Sequence, residues 1–287
     1  MADWLRYIAM IFYAPLRGIR EVRDRGTLGA AVVTAFVIQI VYSFLLQLLA
    51  GDRAMLRPGA SALGTVFFQA VAPILTIAIV LVPVLILVAN LFDRRGSFGV
   101  VLQQEYGSLA SVSFYVFSAT CLLTLLIAAI LHFSGFQAAY VAAAAQSQDT
   151  EQMRATIEWF KLSPAQVALL KAQINDAVYV SKSLFRTFQI PLLAVGGVVA
   201  VRVVFRTSIV RAIAILLIAG LASLPLSRIL YPLFGHIIGS PFLLIFVFFL
   251  LRGYFTEIVS NQRARAAFKQ NLEAATINPR DSSAHYN

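Results

Sequence analysis

Charge is scarce in this chain, and cysteine and histidine are scarcer. Only 13% of its 287 residues are charged, about half the share of a soluble domain, which excludes a water-soluble globular fold. The single cysteine, Cys121, lies inside an apolar run. No internal disulfide can form, and the redox compartment cannot be read from cysteine. The three histidines are His132, His236 and His285, and no H-E-x-x-H pair accompanies them. Neither a G-x-S-x-G elbow nor a phosphate-binding loop is present; Gly96–Ser97–Phe98–Gly99 reads as a turn. The apolar–polar alternation of a membrane barrel is missing. Residues 1–27 carry too much charge for a cleavable signal peptide, so the first span is expected to remain as an anchor.

What the chain has in abundance is apolar residues, 60% of the total. They fall in runs of about 20, the length that crosses a bilayer. In lipid such runs must be helical, because only a helix satisfies every backbone N–H and C=O within the segment. The expected fold is all-α: a polytopic transmembrane helical bundle with amphipathic interfacial helices. Six spans are expected, at about 28–50, 66–92, 110–133, 188–205, 208–224 and 237–254. Pro73 and Pro83 should kink the second, since each removes a backbone donor. Residues 98–109 read as a short amphipathic stretch before the third.

Three regions lie outside the spans. In residues 1–27, Trp4, Ile8, Ile11 and Phe12 recur at helical spacing, Pro15 interrupts, and Arg17, Arg20, Arg23 and Arg25 follow. That pattern suits a helix in the membrane interface and equally a face packed on the bundle. The loop 134–187 contains an alanine-rich helix former, 138–145, and a second start near Asp149 and Gln152. A stronger start is Ser163–Pro164–Ala165–Gln166, a serine cap with proline first and glutamine third. A single amphipathic helix over 164–185 is expected, with Val167, Leu170, Ile174, Val178 and Leu184 as its buried stripe. The tail, 256–287, begins helical and charged.

The formal net charge is +10. In a soluble chain this would suggest nucleic acid. Here the arginines flank spans, so nucleic acid is set aside and membrane lipid is the expected partner. Placing both termini in the cytoplasm puts the Arg17–Arg25 cluster, Arg94, Arg95, Arg202, Arg206, Arg211, Arg252, Arg263, Arg265 and Lys269 inside. The short outer links then hold only Arg53, Arg57 and Arg228. A bacterial inner membrane is the expected location.

The polar residues in or near the spans are Gln39, Gln47, Gln69, Asn90, Gln103, Gln104 and Glu105. Amides in bundles more often bridge helices than bind substrates. Glu105 is the sharper candidate, because a carboxylate at the membrane edge needs a partner; Arg94, Arg95 and Arg202 share its side. His132 and His236 both fall near outer span ends, where interfacial polar residues are common. No catalytic, metal or cofactor site is expected.

Residues 85–123 read LILVANLFDRRGSFGVVLQQEYGSLASVSFYVFSATCLL. A span ending at a charged, glycine-containing turn, a Ser–Phe pair and a Tyr–Gly step opening the next span resemble the centre of the Yip (Ypt-interacting protein) domain family. Phe12, Pro15 and Leu16 with the following arginines resemble its pre-span segment. Residues 188–224, with Arg211–Ala212 in the basic turn, resemble its last two spans. The family core has five spans, so a sixth and the long loop depart from it. The resemblance implies a non-enzymatic protein that organises partners at membranes; eukaryotic members act in vesicle trafficking and associate with small GTPases and with each other. The short motifs of that branch are not matched here, so GTPase binding is not carried over.

In the tail, Ala267, Ala274 and Pro279 resemble the second helix of a tetratricopeptide repeat, and 283–287 resemble the opening of another. A lone repeat cannot bury its apolar face. The resemblance therefore implies continuation beyond Asn287 or a protein partner contacting Phe268, Leu272 and Pro279. A homo-oligomer is a further expected association. Two rival readings are a permease subunit with a polar site between spans, and an intramembrane enzyme needing His132 and His236 to converge.

The topology is directly testable. Of single cysteines replacing Ser97, Gln148 and Ser260, only the one at 148 is expected to react with an impermeant thiol reagent outside intact cells. External labelling at 260 would break the six-span scheme.

Overall fold

A computed structural model describes residues 3–52, 59–93, 96–146, 158–159, 161 and 163–238, with side chains described except at 60–63 and 230–238. The chain divides into two compact units, Met1–His236 and Ile237–Asn287. The tail and the expected sixth span, apart from its first two residues, lie outside the described residues. The regular structure among the described residues is helical throughout.

Five helical stretches are long and apolar enough to cross a bilayer, which makes this a multi-pass membrane protein by length and composition. The first is α3, Leu28–Leu49. The second is a continuous rod, α4 (Ala60–Leu75), a π-helical stretch (Thr76–Leu81) and α5 (Val82–Asp93). The third is α6, Phe98–Phe133. After α7 (Phe136–Gln146) and α8 (Pro164–Asn175) come the fourth, α9 (Ala177–Phe205), and the fifth, α10 (Ile209–Ile238). Two short helices precede them, α1 (Asp3–Tyr13) and α2 (Pro15–Arg25).

Several boundaries differ from the sequence reading. The stretch 98–109 is no separate helix; it is the first three turns of α6. At about 1.5 Å per residue α6 is roughly 54 Å long, well beyond a hydrocarbon core of about 30 Å. The link expected at 225–236 is helical and belongs to α10. The cap at Ser163 forms as a full capping box, with Ser163 Oγ accepting from Gln166 N and Gln166 Oε1 from Ser163 N. The helix it starts stops at Asn175, however, rather than running to 185. Asp176 ends α8 and caps α9, its Oδ1 accepting from Val178 N at 2.9 Å. Asp at this position competes with the backbone for its own N–H groups, which favours a new helix start. Of the expected stripe, Val167, Leu170, Ile174 and Val178 are half-buried and only Leu184 is fully buried. Asp149 and Gln152 lie outside the described residues.

The prolines of the second span do not break it. In the π-helical stretch Val82 N–H bonds Ile77 O, five residues back. The next donor in that register would be residue 83, a proline with no N–H. The Ala78 carbonyl thus left over accepts the Tyr106 hydroxyl of α6 at 3.0 Å.

α6 is the spine. It packs against α1, α2, α3, α5, α7 and α9, and Phe114, Tyr115, Leu109 and Cys121 on it are buried. Small side chains let neighbours close in: a Cβ on Gly196 of α9 would meet Val116 Cγ1 at 2.5 Å, and one on Gly197 would meet Leu216 Cδ2 of α10 at 3.1 Å. α1 and α2 form a tight hairpin, since a Cβ on Gly18 would meet the backbone of Met10 and Ile11 at 2.8 Å.

Tyr106→Phe should strand the Ala78 carbonyl and lower detergent thermal stability by about 1–2 kcal/mol. In a Pro83→Ala background, which restores an N–H, the same change should cost less than half as much; an equal cost in both backgrounds would refute the assignment.

Candidate functional site

Two ends and one interior seam concentrate the polar groups. At the first end, Arg23 Nη1 donates to Val203 O at 2.8 Å, which ties α2 to the last turn of α9. Arg211 at the start of α10 pairs with Asp93 at the end of α5, 3.6 Å apart. Arg6 and Arg25 both pair with Glu21, and Arg23 also pairs with Asp24. The Arg23 hydrogen bond holds the Asp24 carboxyl below its ordinary range. Arg206 closes α9 in the left-handed conformation, φ 52°. Among the described residues this end therefore collects the arginines that flank the first, fourth and fifth spans.

The opposite end is built around Gln137, a buried amide near the start of α7. Its Nε2 donates to Leu49 O at 2.9 Å and to Ser181 Oγ at 2.8 Å, while its Oε1 lies 2.9 Å from His132 Nδ1. One side chain thus joins the ends of α3 and α6 to the start of α9. Lys182 and Asp52 face each other nearby at 3.9 Å.

Between the ends runs an amide seam. Gln39, Ser43 and Gln47 stack at i, i+4, i+8 on the buried face of α3. Gln39 Nε2 donates to Gln69 O at 3.3 Å, and Gln47 Nε2 to Gln69 Oε1 at 3.2 Å. On the other side the Cys121 thiol donates to Gln39 Oε1 at 3.1 Å, and Gln189 Nε2 approaches that sulfur at 3.7 Å. α3, α4, α6 and α9 are thereby linked. Tyr42, one turn from Gln39, has a buried hydroxyl with no hydrogen-bond partner among the described residues.

The expected candidates are distributed, not converged. Asn90 Nδ2 donates to Gly96 O at 3.0 Å, which fastens the turn after α5. Glu105 is half-buried on α6, and its carbonyl accepts the Ser108 hydroxyl. Arg202 is exposed and makes no ion pair with a described residue. Arg94 and Arg95 lie outside the described residues, as do the tail positions Phe268, Leu272 and Pro279; the side chain of His236 does too. His132 is bound to an amide rather than to an acid or a nucleophile. Among the described residues no group of His, Cys, Asp and Glu is arranged to hold a metal. Sequence reasoning identified Gln39, Gln47 and Gln69 as helix-bridging amides. It missed Gln137 and Gln189, although a glutamine opening an alanine-rich helix and one beside Pro191 in a span were both visible. No family profile, curated protein or solved structure matches this chain.

Gln137→Leu should lower detergent thermal stability by about 1–3 kcal/mol, since three groups on other elements lose their partner. Gln146→Leu, at an exposed position of the same helix, should change it little. Equal effects of the two would remove Gln137 from its role.

Proposed function

We propose that this chain is a non-enzymatic, Yip-like integral membrane protein that holds protein partners at the bilayer. The observation that carries the reading is the use made of the interior polar groups. Gln39, Gln47, Gln69, Cys121, Gln189 and Gln137 are spent on one another and on backbone carbonyls of neighbouring helices. A bundle bound together in this way suits a fixed platform. Its contact surfaces are the loop helices and the tail. Phe133, Phe136, Tyr140, Trp159 and Leu169 are exposed around the loop, and clustered apolar exposure outside a span favours association. The Yip resemblance of residues 85–123 supports the same reading. The positive-inside rule, applied to the arginine-rich first end, supports cytoplasmic termini, and a bacterial inner membrane fits.

A permease subunit is the second reading. It draws on the Tyr42 hydroxyl, buried and unpartnered beside the seam, as a substrate-facing group.

The test is photo-crosslinking of the full-length protein in its native membrane, with the crosslinker at Trp159 or at Leu272. Discrete protein adducts, lost when the probe moves to the lipid-facing Leu221, are the expected result. Lipid adducts alone at both sites, with solute uptake by proteoliposomes that Tyr42→Phe abolishes, would overturn the platform in favour of the permease.

A further inference from the structure

The α1–α2 hairpin has two faces, and only one is packed against the other described residues. Inward, Tyr7, Ile8, Met10, Ile19 and Val22 are buried against the bundle. Outward, α1 presents Leu5, Phe12 and Tyr13 at 45%, 46% and 74% exposure, with Trp4 beside them. The expected packing on the bundle is thus made by Tyr7 and Ile8 of α1, while Trp4 and Phe12 of the expected apolar face stay exposed.

The hairpin also has a depth. The ring of Tyr7 meets that of Tyr115 edge-on, with centroids 5.4 Å apart. Glu105 is the last charged residue at this end of α6, and its predominantly apolar run begins at Leu109. Tyr115 is six residues further on, about 9 Å along the helix. α1 thus lies just inside the level where the hydrocarbon begins, the depth at which aromatic side chains and interfacial helices settle. α2 lies level with the end of α9, through the Arg23–Val203 contact.

Charge at this level is unbalanced. Glu21, Asp24 and Asp93 are each already engaged by an arginine of the same end, and even with Asp3 and Glu105 the described acids are outnumbered by the described arginines. Arg17 and Arg20 point away from the buried face of α2, are exposed, and pair with no described residue; Arg202 and Arg206 at the end of α9 are exposed and equally unpaired. An apolar aromatic face at acyl depth beside unneutralised guanidinium groups at headgroup depth complements one kind of molecule. We propose that the outward face of the α1–α2 hairpin is a docking surface for acidic phospholipids, with Trp4, Leu5, Phe12 and Tyr13 among the acyl chains and Arg17, Arg20 and Arg206 on the phosphates. Arginine suits the task because its planar fork can meet two phosphate oxygens at once.

The test uses the full chain with Trp159→Phe, which leaves Trp4 as its one tryptophan. The protein is reconstituted in phosphatidylcholine vesicles containing phosphatidylglycerol. Bromines are carried on the acyl chains of either lipid at equal mole fraction. Trp4 fluorescence should be quenched by both, and roughly twofold more by brominated phosphatidylglycerol, the enrichment that a few basic residues at a surface produce. Arg17→Gln with Arg20→Gln and Arg206→Gln should bring the two lipids to equal quenching without loss of quenching by phosphatidylcholine. Arg17→Lys with Arg20→Lys should keep part of the preference. Equal quenching in the unaltered arginine background would overturn the headgroup assignment. Absence of quenching by either lipid would show the face covered by protein, such as a second copy, and would overturn the proposal as a whole.

Discussion

No water completes a hydrogen bond in the hydrocarbon of a bilayer, and most of this structure is a set of answers to that constraint. The backbone answers by being helical. Hydroxyls answer by bonding back one turn, as Ser118 does to Phe114 O at 2.7 Å and Thr124 to Thr120 O at 2.8 Å. Amides cannot do so fully, because each carries two donors and an acceptor. Their remaining valence must be met by another helix, and this turns each buried glutamine into a fastening. The same logic holds at Pro83, where a missing N–H is compensated from a different span by Tyr106.

These fastenings converge on α6 because it is the helix that the others surround. Lipid provides little hydrophobic drive for one helix to prefer another, so close packing and polar contacts decide the arrangement. Gly196 and Gly197 admit Val116 of α6 and Leu216 of α10 to close contact on adjacent faces of α9, which lets α9 touch both helices. Cys121 receives Gln189 from α9 and reaches Gln39 on α3. A sulfhydryl is a weak donor and a weak acceptor. Its place there reads better as a small side chain that fits between two helices than as a reactive thiol, since it is fully buried.

The legible parts of the fold were those fixed by local chemistry. Apolar length gave α3 within a residue, and the Ser163–Gln166 box appears as the sequence pattern requires. The misjudged boundaries were places where polarity was read as a helix end. Gln103, Gln104 and Glu105 interrupt the apolar pattern, but a helix needs no apolar run to continue through three turns already nucleated. The reverse error was made at Asp176, where an apolar stripe was carried through a residue whose side chain caps the next helix. Periodicity across such a break is not evidence of one helix. The partners of the amides were illegible for a different reason. That Gln39 would bridge could be argued from composition; that it would meet Gln69 and Cys121 depends on rotation and register of three helices, which no local pattern encodes.

The two ends of the bundle differ in a way that links architecture to function. At the Gln137 end, neutral amides, hydroxyls and a histidine hold the helices together, and the charged pair Lys182–Asp52 is balanced. At the other end, arginines exceed the acids that face them, and several are fixed in place by their own contacts: Arg23 on Val203 O, Arg211 on Asp93. Fixed positive charge beside a span resists translocation and also concentrates anionic lipid near itself. A single arrangement of guanidinium groups can therefore set the orientation during insertion and determine the lipid neighbours afterwards. In the proposed docking the α1–α2 hairpin gains most from this, because acyl chains would cover its outward aromatic face and its arginines would keep the anionic headgroups above those chains.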